Sequence, residues 1–252
     1  MEQKKQFGLI GNPLTHSFSK KYFDAKFEKE NITDCEFNVY PLSTINELPQ
    51  LLINNPNLIG LSVTLPYKES VVPFLNEMDK TAQVVGAVNC IKISNKKLMG
   101  FNTDVLGFRQ SIKPFLETAH QKALILGTGG ASKAVAFVLK EIGIDCFFVT
   151  RNKMNNNQND RLFSYEELNV NIIKAFKLII NTTPVGMFPS INTAPDIPYQ
   201  FISDSHLLYD LVYNPVETEF LKRGKEFGAS TVNGLSMLHQ QAEQAWRIWN
   251  RD

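Results

Sequence analysis

The sequence predicts an α/β protein, because short apolar runs alternate with longer helical patterns along the whole chain. Three runs in the second half, at 146–150, 178–181 and 207–211, are short and continuously apolar. Such runs are typical of parallel strands that are buried on both faces. A strand, a glycine-rich turn and an apolar helix also follow one another over 122–142, which is the local order of a βαβ unit.

Apolar runs and helical periodicity place the individual elements. We predict strands at 7–10, 36–40, 58–64, 87–93, 97–101, 122–126, 146–150, 178–181 and 207–211. We predict helices at 20–30, 45–53, 101–113, 132–142, 218–227 and 235–249, and a helix directly after Pro66. A turn at Asn95 and Lys96 joins two strands into a hairpin, whereas the asparagine-rich segment 152–160 is too polar to pack and predicts a surface loop.

The composition excludes several classes of protein. The 252 residues carry a formal net charge of +1, so no global field attracts nucleic acid or a membrane surface. No run of 18 apolar residues could span a bilayer, and no signal peptide is expected. The three cysteines lie far apart and fit no metal-ligand spacing, so we expect free thiols in a reducing compartment. These observations predict a cytoplasmic protein with no membrane, nucleic-acid or metal partner.

A glycine-rich turn follows the predicted strand 122–126 and opens the next helix. Glycine lets the backbone turn tightly and approach a pyrophosphate, whose charge the N–H groups of the helix start can hold. The residues of this turn are Gly127, Gly129, Gly130, Ala131 and Ser132. Ser132 stands where the usual pattern has its third glycine. The alternative is a glycine-rich turn without a ligand.

The end of the following strand indicates which dinucleotide would bind. An enzyme that uses NAD places Asp or Glu there to bind the ribose 2′-hydroxyl. This chain has Thr150, Arg151 and Lys153 around that position and no carboxylate. Two cations suit a 2′-phosphate, which Arg151 could grip through two hydrogen bonds. The sequence therefore favours NADP, with a solvated Arg-Lys pair as the alternative.

A second candidate site lies in the first hundred residues. Ser62 and Thr64 would point to the same side of a strand, and Lys68 follows them after a turn at Pro66. Reduction of a ketone needs a proton at oxygen, which a cation beside the carbonyl can supply. Asp104 could hold that ammonium group, although an Asn-Thr-Asp triplet at a helix start is equally a cap. Lys68 alone would more often be a surface cation.

Seven segments in register resemble the shikimate dehydrogenase family. They are GNPLTHSFS at 11–19, SVTLPYKE at 62–69, GAVN at 86–89, NTD at 102–104, GTGGAS at 127–132, NTTPVGM at 181–187 and GLSMLHQQ at 234–241. The resemblance implies reversible reduction of 3-dehydroshikimate to shikimate with NADPH. A quinate or quinate/shikimate dehydrogenase would share nearly all of these segments. A non-catalytic NADP-binding sensor would be expected to lose Lys68 or Asp104.

The resemblance also implies roles for individual residues. Lys68 and Asp104 would form the catalytic pair, and Ser17 and Ser19 would hold the substrate carboxylate. The residues implied to bind the substrate ring are Thr64, Asn89, Tyr213 and Gln241. Besides the glycine turn, Thr150, Arg151 and Lys153, the residues implied to contact the cofactor are Thr182, Met187, Gly234 and Met237.

The same resemblance implies two domains with the active site between them. Residues 1–102 with 233–252 would form an N-terminal α/β substrate domain. Residues 103–232 would form a Rossmann-like NADP-binding domain with a parallel sheet. We expect the protein to be a monomer or a homodimer.

Overall fold

The computed structural model describes residues 4–14, 18–151 and 161–251. The chain divides into two compact units, Met1–Thr103 with Ala242–Asp252, and Asp104–Gln241. The division falls inside the last helix. The predicted boundaries of a substrate domain and a cofactor domain stay a prediction, because compactness does not reveal what a unit binds.

In its described residues, the first unit is built on a six-stranded mixed sheet with the strand order β2-β1-β3-β5-β6-β4. Its elements are β1 (Lys5–Gly11), α1 (Phe18–Lys29), β2 (Cys35–Pro41), α2 (Leu48–Asn54), β3 (Leu58–Val63), β4 (Glu77–Met78), α3 (Lys80–Val85), β5 (Cys90–Ser94) and β6 (Lys97–Phe101). Strand β1 pairs in parallel with both β2 and β3, whereas β5 pairs antiparallel with β3 and β6. Asn95 and Lys96 join β5 to β6 with φ of 50° and 61°, so the predicted hairpin is confirmed.

Both faces of the first sheet carry packed apolar side chains. Alternation along β1 sends Phe7 to one face and Ile10 to the other. On the first face, Trp249 lies 5.0 Å from Phe7 between ring centroids and donates an indole N–H to the Ile91 carbonyl at 3.0 Å. A β-carbon at Gly60 would lie 2.6 Å from the Trp249 ring. The position of the Trp249 ring against the sheet therefore requires glycine at position 60, in strand β3.

The described residues of the second unit form a fully parallel six-stranded sheet with the order β12-β11-β10-β7-β8-β9. Its elements are α4 (Asp104–Ile112), β7 (Lys122–Leu126), α5 (Gly130–Glu141), β8 (Asp145–Thr150), β9 (Leu162–Ser164), α6 (Val170–Ala175), β10 (Leu178–Asn181), β11 (Leu207–Asp210), α7 (Glu219–Glu226), β12 (Ser230–Val232) and α8 (Leu235–Trp249). Counted from β7, this is the 3-2-1-4-5-6 order of the Rossmann fold. The predicted α/β class with a Rossmann-like parallel sheet is confirmed.

Two buried histidines lie near the amino ends of strands in the second sheet, His120 before β7 and His206 before β11. His206, which precedes β11, is 1% exposed and accepts a hydrogen bond from Ser203 N at its Nδ1, at 3.0 Å. Its Nε2 lies 3.0 Å from the Ile173 carbonyl oxygen, so it is the ring nitrogen that carries the proton. His120 similarly accepts from Glu117 N. Burial lowers the pKa of both histidines, which favours the neutral form of each ring.

Several predicted elements differ from the structure, mostly at their starts. Helix α1 begins at Phe18 instead of 20, and α2 begins at Leu48 after a 3-10 turn at Ile45–Glu47. The segment after Pro66 forms turns and a 3-10 helix at Val72–Phe74, because Pro73 lacks an N–H and restricts the residue before it. The strand predicted at 87–93 begins only at Cys90, and the helix predicted at 101–113 begins at Asp104. Helix α5 begins at Gly130 instead of 132, since extended Gly129 serves as its N-cap. Helix α7 begins after its cap, Thr218.

Several short elements had no recognisable pattern in the sequence. Helices α3 and α6 span six residues each, and strands β4, β9 and β12 span two or three. The asparagine-rich segment 152–160 lies outside the described residues. Within the residues that the structure does describe, no helix is both long and apolar enough to cross a bilayer.

Candidate substrate and cofactor sites

In each sheet, the order of the strands reverses at the first strand of the unit, so that later strands lie on both sides of it. In the first unit, β1 is flanked by β2 and β3, and in the second unit β7 is flanked by β8 and β10. Open α/β sheets bind ligands beyond the carboxyl ends of the strands at such switch points. The predicted site residues of each unit lie largely around these ends.

In the first unit, the chain after β3 is bound closely to the chain after β1. Thr64 N donates to the Ile10 carbonyl at 2.9 Å, and Asn12 N donates to the Leu65 carbonyl at 2.9 Å. A β-carbon at Gly11 would lie 2.4 Å from Thr64 Cγ2. Thr64 lies one residue beyond β3 and is half-buried, so its hydroxyl stands at the tip of the strand.

Lys68 lies in the turns that follow this tip and is half-buried. Its main-chain carbonyl accepts a hydrogen bond from Val88 N at 2.7 Å. The neighbouring Tyr67 is 5% exposed and donates its hydroxyl to the Leu42 carbonyl at 2.6 Å. These contacts fix the main chain on which the lysine side chain is carried.

Asn89 holds the segment that leads out of the first unit. It is 3% exposed, its Oδ1 accepts from Thr103 N at 2.7 Å, and its Nδ2 donates to Thr103 Oγ1 at 3.0 Å. Asn102 Nδ2 donates to the Ala87 carbonyl at 2.8 Å. The two asparagines therefore join the segment around 87–89 to the segment around 102–103. Ser19, the second residue of α1, is 8% exposed, and Ser17 lies outside the described residues.

In the second unit, Asp104 is the first residue of α4 and is 4% exposed. A carboxylate in the first turn of a helix is stabilised by the free N–H groups there. A β-carbon at Gly107 would lie 2.7 Å from the Met237 carbonyl oxygen and 3.2 Å from Gln241 Cβ. Glycine thus lets the helix that carries Asp104 pack closely on the helix that carries Gln241.

The glycine turn lies at the carboxyl end of β7, where the sheet order reverses. Gly127 has a φ of 105° and donates its N–H to the Val149 carbonyl at 2.9 Å. Gly129 borders open space, and Ser132 donates its hydroxyl to the Gly129 carbonyl at 2.6 Å. A left-handed glycine and an uncrowded helix start at Gly130 fit the phosphates of a dinucleotide.

The residues predicted to hold a 2′-phosphate lie one strand away. Thr150 ends β8, and Arg151 follows it and is exposed to solvent. Strands β7 and β8 pair in parallel with Leu126 opposite Val149, so both strands end at the same edge. The structure therefore places Arg151 at the same edge of the sheet as the glycine turn. Lys153 lies outside the described residues.

The residues predicted near the nicotinamide follow β10, β11 and β12. Thr182 donates its hydroxyl to the Leu126 carbonyl at 2.7 Å, beside the glycine turn. A β-carbon at Gly234 would lie 2.1 Å from the Leu211 carbonyl oxygen, so the chain after β12 closely approaches the chain after β11. Met237 is buried and Met187 is 39% exposed, and Tyr213 is half-buried.

Sequence reasoning missed a buried polar cluster beneath these loops. Asp210, at the end of β11, is 0% exposed and accepts hydrogen bonds from Asn181, Val212 and Thr218. Burial raises the pKa of this carboxyl to about 7, against the lowering effect of those hydrogen bonds. A carboxylate that closes the apolar run 207–210 was the available signal, because such a residue cannot remain buried without partners.

The strand order and the glycine turn give the second unit the architecture of the Rossmann class, whose members bind dinucleotides. The family model for the shikimate dehydrogenase substrate-binding domain matches residues 9–91. The chain is 37% identical over 260 residues to an NADP-dependent shikimate dehydrogenase of Carboxydothermus hydrogenoformans, covering 98% of this chain and 92% of the relative. The chain belongs to the shikimate dehydrogenase family.

Two solved structures are similar over nearly the whole chain. The shikimate dehydrogenase of Aquifex aeolicus has a TM-score of 0.87 and 32% identity, covering 99% of this chain and 94% of the other. The enzyme of Thermus thermophilus, solved with NADP(H) and shikimate, has a TM-score of 0.82 and 29% identity, covering 97% and 93%.

Proposed function

We propose that this protein is an NADP-dependent shikimate dehydrogenase, which reduces the ring ketone of 3-dehydroshikimate to the secondary alcohol of shikimate. The observation that carries the proposal is the 37% identity to an NADP-dependent shikimate dehydrogenase over 98% of this chain. The structure supports it through a glycine turn at a Rossmann switch point, followed on the next strand by an exposed arginine instead of a carboxylate.

The residues of the second unit fit the cofactor. Main-chain N–H groups from Gly129 to Ser132 would hold the pyrophosphate at the start of α5. Arg151 would bind the 2′-phosphate, together with Thr150 and Lys153. Thr182, Met187, Gly234 and Met237 would border the nicotinamide, since they follow the neighbouring strands at the same edge of the sheet.

The substrate is a carboxylate with ring hydroxyls, and the proposal assigns groups to both parts. Ser17 and Ser19 would bind the carboxylate at the start of α1. The residues that would hold the ring are Thr64, Asn89, Tyr213 and Gln241. Asn89 would do so from the segment that its hydrogen bonds to Thr103 hold in place.

When bound, NADPH supplies the hydride for the ring carbon. Lys68 donates a proton to the ketone oxygen as the alcohol forms, and in the reverse direction its amine accepts the proton. Asp104 stabilises the ammonium form and orients it toward that oxygen. The turn that fixes the main chain of Lys68 limits how far its ammonium group can move.

The protein would work in the cytoplasm. The three cysteines are free thiols, and Cys35 and Cys90 are buried, so no disulfide contributes to this fold. Free buried thiols suit a reducing compartment.

A two-by-two assay tests the proposed function. Shikimate and quinate are each supplied with NADP⁺ and with NAD⁺, and the absorbance of the reduced nicotinamide is followed. We expect clear turnover with shikimate and NADP⁺. Turnover only with quinate, or with neither acid, would refute the proposal.

A double-mutant cycle tests the two catalytic assignments. Lys68→Ala and Asp104→Asn should each lower kcat, and loss of proton transfer at Lys68 should cost about 10²- to 10⁴-fold. Because two groups that serve one proton act as a unit, the double variant should lose little more than Lys68→Ala. Fully additive losses would show that Asp104 does not act through Lys68.

A further inference from the structure

A single buried carboxylate joins three segments of the second unit. Asp210 Oδ1 accepts hydrogen bonds from Asn181 Nδ2 at 2.9 Å and from Val212 N at 3.0 Å. Its Oδ2 accepts from Thr218 Oγ1 at 2.6 Å. Asp210, Asn181 and Thr218 are all 0% exposed. Each segment therefore depends on the same side chain for a partner that water cannot replace.

The contact with Asn181 controls the loop that follows β10. Asn181 Oδ1 accepts from Thr183 N at 3.1 Å and from Thr183 Oγ1 at 2.6 Å. Its Nδ2 also donates to the Val185 carbonyl at 3.3 Å. A flipped amide would place its oxygen against the oxygen of Asp210. The carboxyl group thus fixes the orientation in which Asn181 can hold this loop.

The same loop forms a wall of the glycine turn. Thr182 N and Thr182 Oγ1 both donate to the Leu126 carbonyl, at 3.0 and 2.7 Å. A β-carbon at Gly127 would lie 2.9 Å from both Thr182 Oγ1 and Thr183 Cγ2. A shift of the loop by a few tenths of an ångström would therefore change the space beside the turn.

The contact with Val212 extends the cluster to the chain after β12. Val212 accepts a hydrogen bond from Gly234 N at 3.2 Å through its carbonyl. Tyr213 follows Val212 directly, and Thr218 caps α7 by accepting from Leu221 N at 3.4 Å. Asp210 thus holds both ends of the segment that carries Tyr213.

We infer that Asp210 is a positioning residue of the cofactor site, which it shapes through Asn181 and Val212 without touching the cofactor. The inference rests on the proposed function, since it takes the loop after β10 and Gly234 as the nicotinamide end of the site. Asp210 sets where those segments lie and leaves the chemical step to other groups.

Three variants separate positioning from general stability. Asp210→Ala removes the acceptor of three buried donors, of which Asn181 Nδ2 keeps its longer contact with the Val185 carbonyl. Asp210→Asn restores an acceptor for Asn181 and Val212 and offers an N–H to the Thr218 oxygen. Tyr209→Phe is the matched control, because this neighbour points to the opposite face of β11 and its hydroxyl lies 2.6 Å from Ser111 Oγ.

The experiment measures the Kd of NADPH by fluorescence titration of each variant, together with both KM values and the urea midpoint. We expect Asp210→Ala to weaken NADPH by about tenfold or more, the equivalent of one or more unsatisfied buried donors. The KM of shikimate should rise by a smaller factor than the Kd of NADPH, because only the segment that carries Tyr213 belongs to the proposed substrate site. Asp210→Asn should return NADPH affinity to nearly the wild-type value, and Tyr209→Phe should lower the urea midpoint without changing that affinity.

Two results would overturn the inference. One is wild-type NADPH affinity in folded Asp210→Ala, and the other is an equal loss of affinity in Tyr209→Phe. If Asp210→Ala does not fold, Asn181→Ala removes the loop contact directly, and unchanged NADPH affinity in that variant is equally decisive. The titration needs no substrate, so a wild-type protein without shikimate turnover would refute the proposed function and leave this test intact.

Discussion

The buried carboxyl of Asp210 makes stability depend on pH in a direction that can be measured. Its pKa is about 7 in the folded protein, against about 3.9 for an exposed aspartate. The folded state therefore keeps a proton that the unfolded state has lost. The favourable contribution is complete below about pH 4 and disappears as the pH rises to about 7.

Asp210→Asn removes this titration while keeping the shape of the side chain. Each pH unit between 5 and 7 costs the wild type about 1.4 kcal/mol relative to the variant. We expect the free energy of unfolding of Asp210→Asn, minus that of the wild type, to rise by about 3 kcal/mol between pH 5 and pH 8.

Urea unfolding of both proteins at the two pH values, followed by far-UV circular dichroism, measures this difference. The other titrating groups are common to both proteins and cancel in the subtraction. If the difference between variant and wild type is the same at both pH values, Asp210 is not a carboxyl with a raised pKa, and the reasoning fails.

Three further predictions concern individual packing and titration sites. Gly60→Ala should lower the free energy of unfolding by about 1–3 kcal/mol, because its methyl group would meet the buried Trp249 ring; urea unfolding measures it, and a neutral effect would mean the ring moves freely. Gly127→Ala should weaken NADPH binding by about tenfold or more, since φ is positive and Thr182 is close; unchanged affinity in a titration would contradict this. His206→Gln should flatten the loss of stability between pH 7 and pH 5, because the unfolded wild type takes up a proton that its folded state resists; parallel pH curves for the two proteins would exclude that role.

The sequence predicted the strands of the second unit most accurately. The strands at 122–126 and 178–181 have the predicted bounds, because strands buried on both faces are apolar throughout and end abruptly at polar residues. The order of these strands in the sheet could not be predicted from the sequence, because the pairing of β10 with β7 joins segments more than fifty residues apart. Edge strands such as β12 have too few residues to show an alternation of apolar and polar side chains.

The candidate site could be predicted from the sequence where a single residue type in its local context indicates a function. Glycines in a strand-turn-helix context indicated a phosphate site, and the structure confirms the turn. The prediction of a helix after Pro66 was wrong, because Pro73 lacks an N–H and disfavours a helix through this segment. For Asp210 the sequence offered one signal, a carboxylate in an apolar run, but the partners that define its role are brought to it only by tertiary packing.

A sheet in which every strand runs the same way has a polarity that protein engineers can use. In the second unit, the loops at the carboxyl ends hold the proposed cofactor groups, whereas His206 at the opposite edge binds main-chain groups of Ser203 and Ile173. Substitutions that raise thermal tolerance should therefore be sought at the amino-terminal edge, away from the proposed cofactor groups. Changes of cofactor preference belong at the opposite edge, beginning with Arg151.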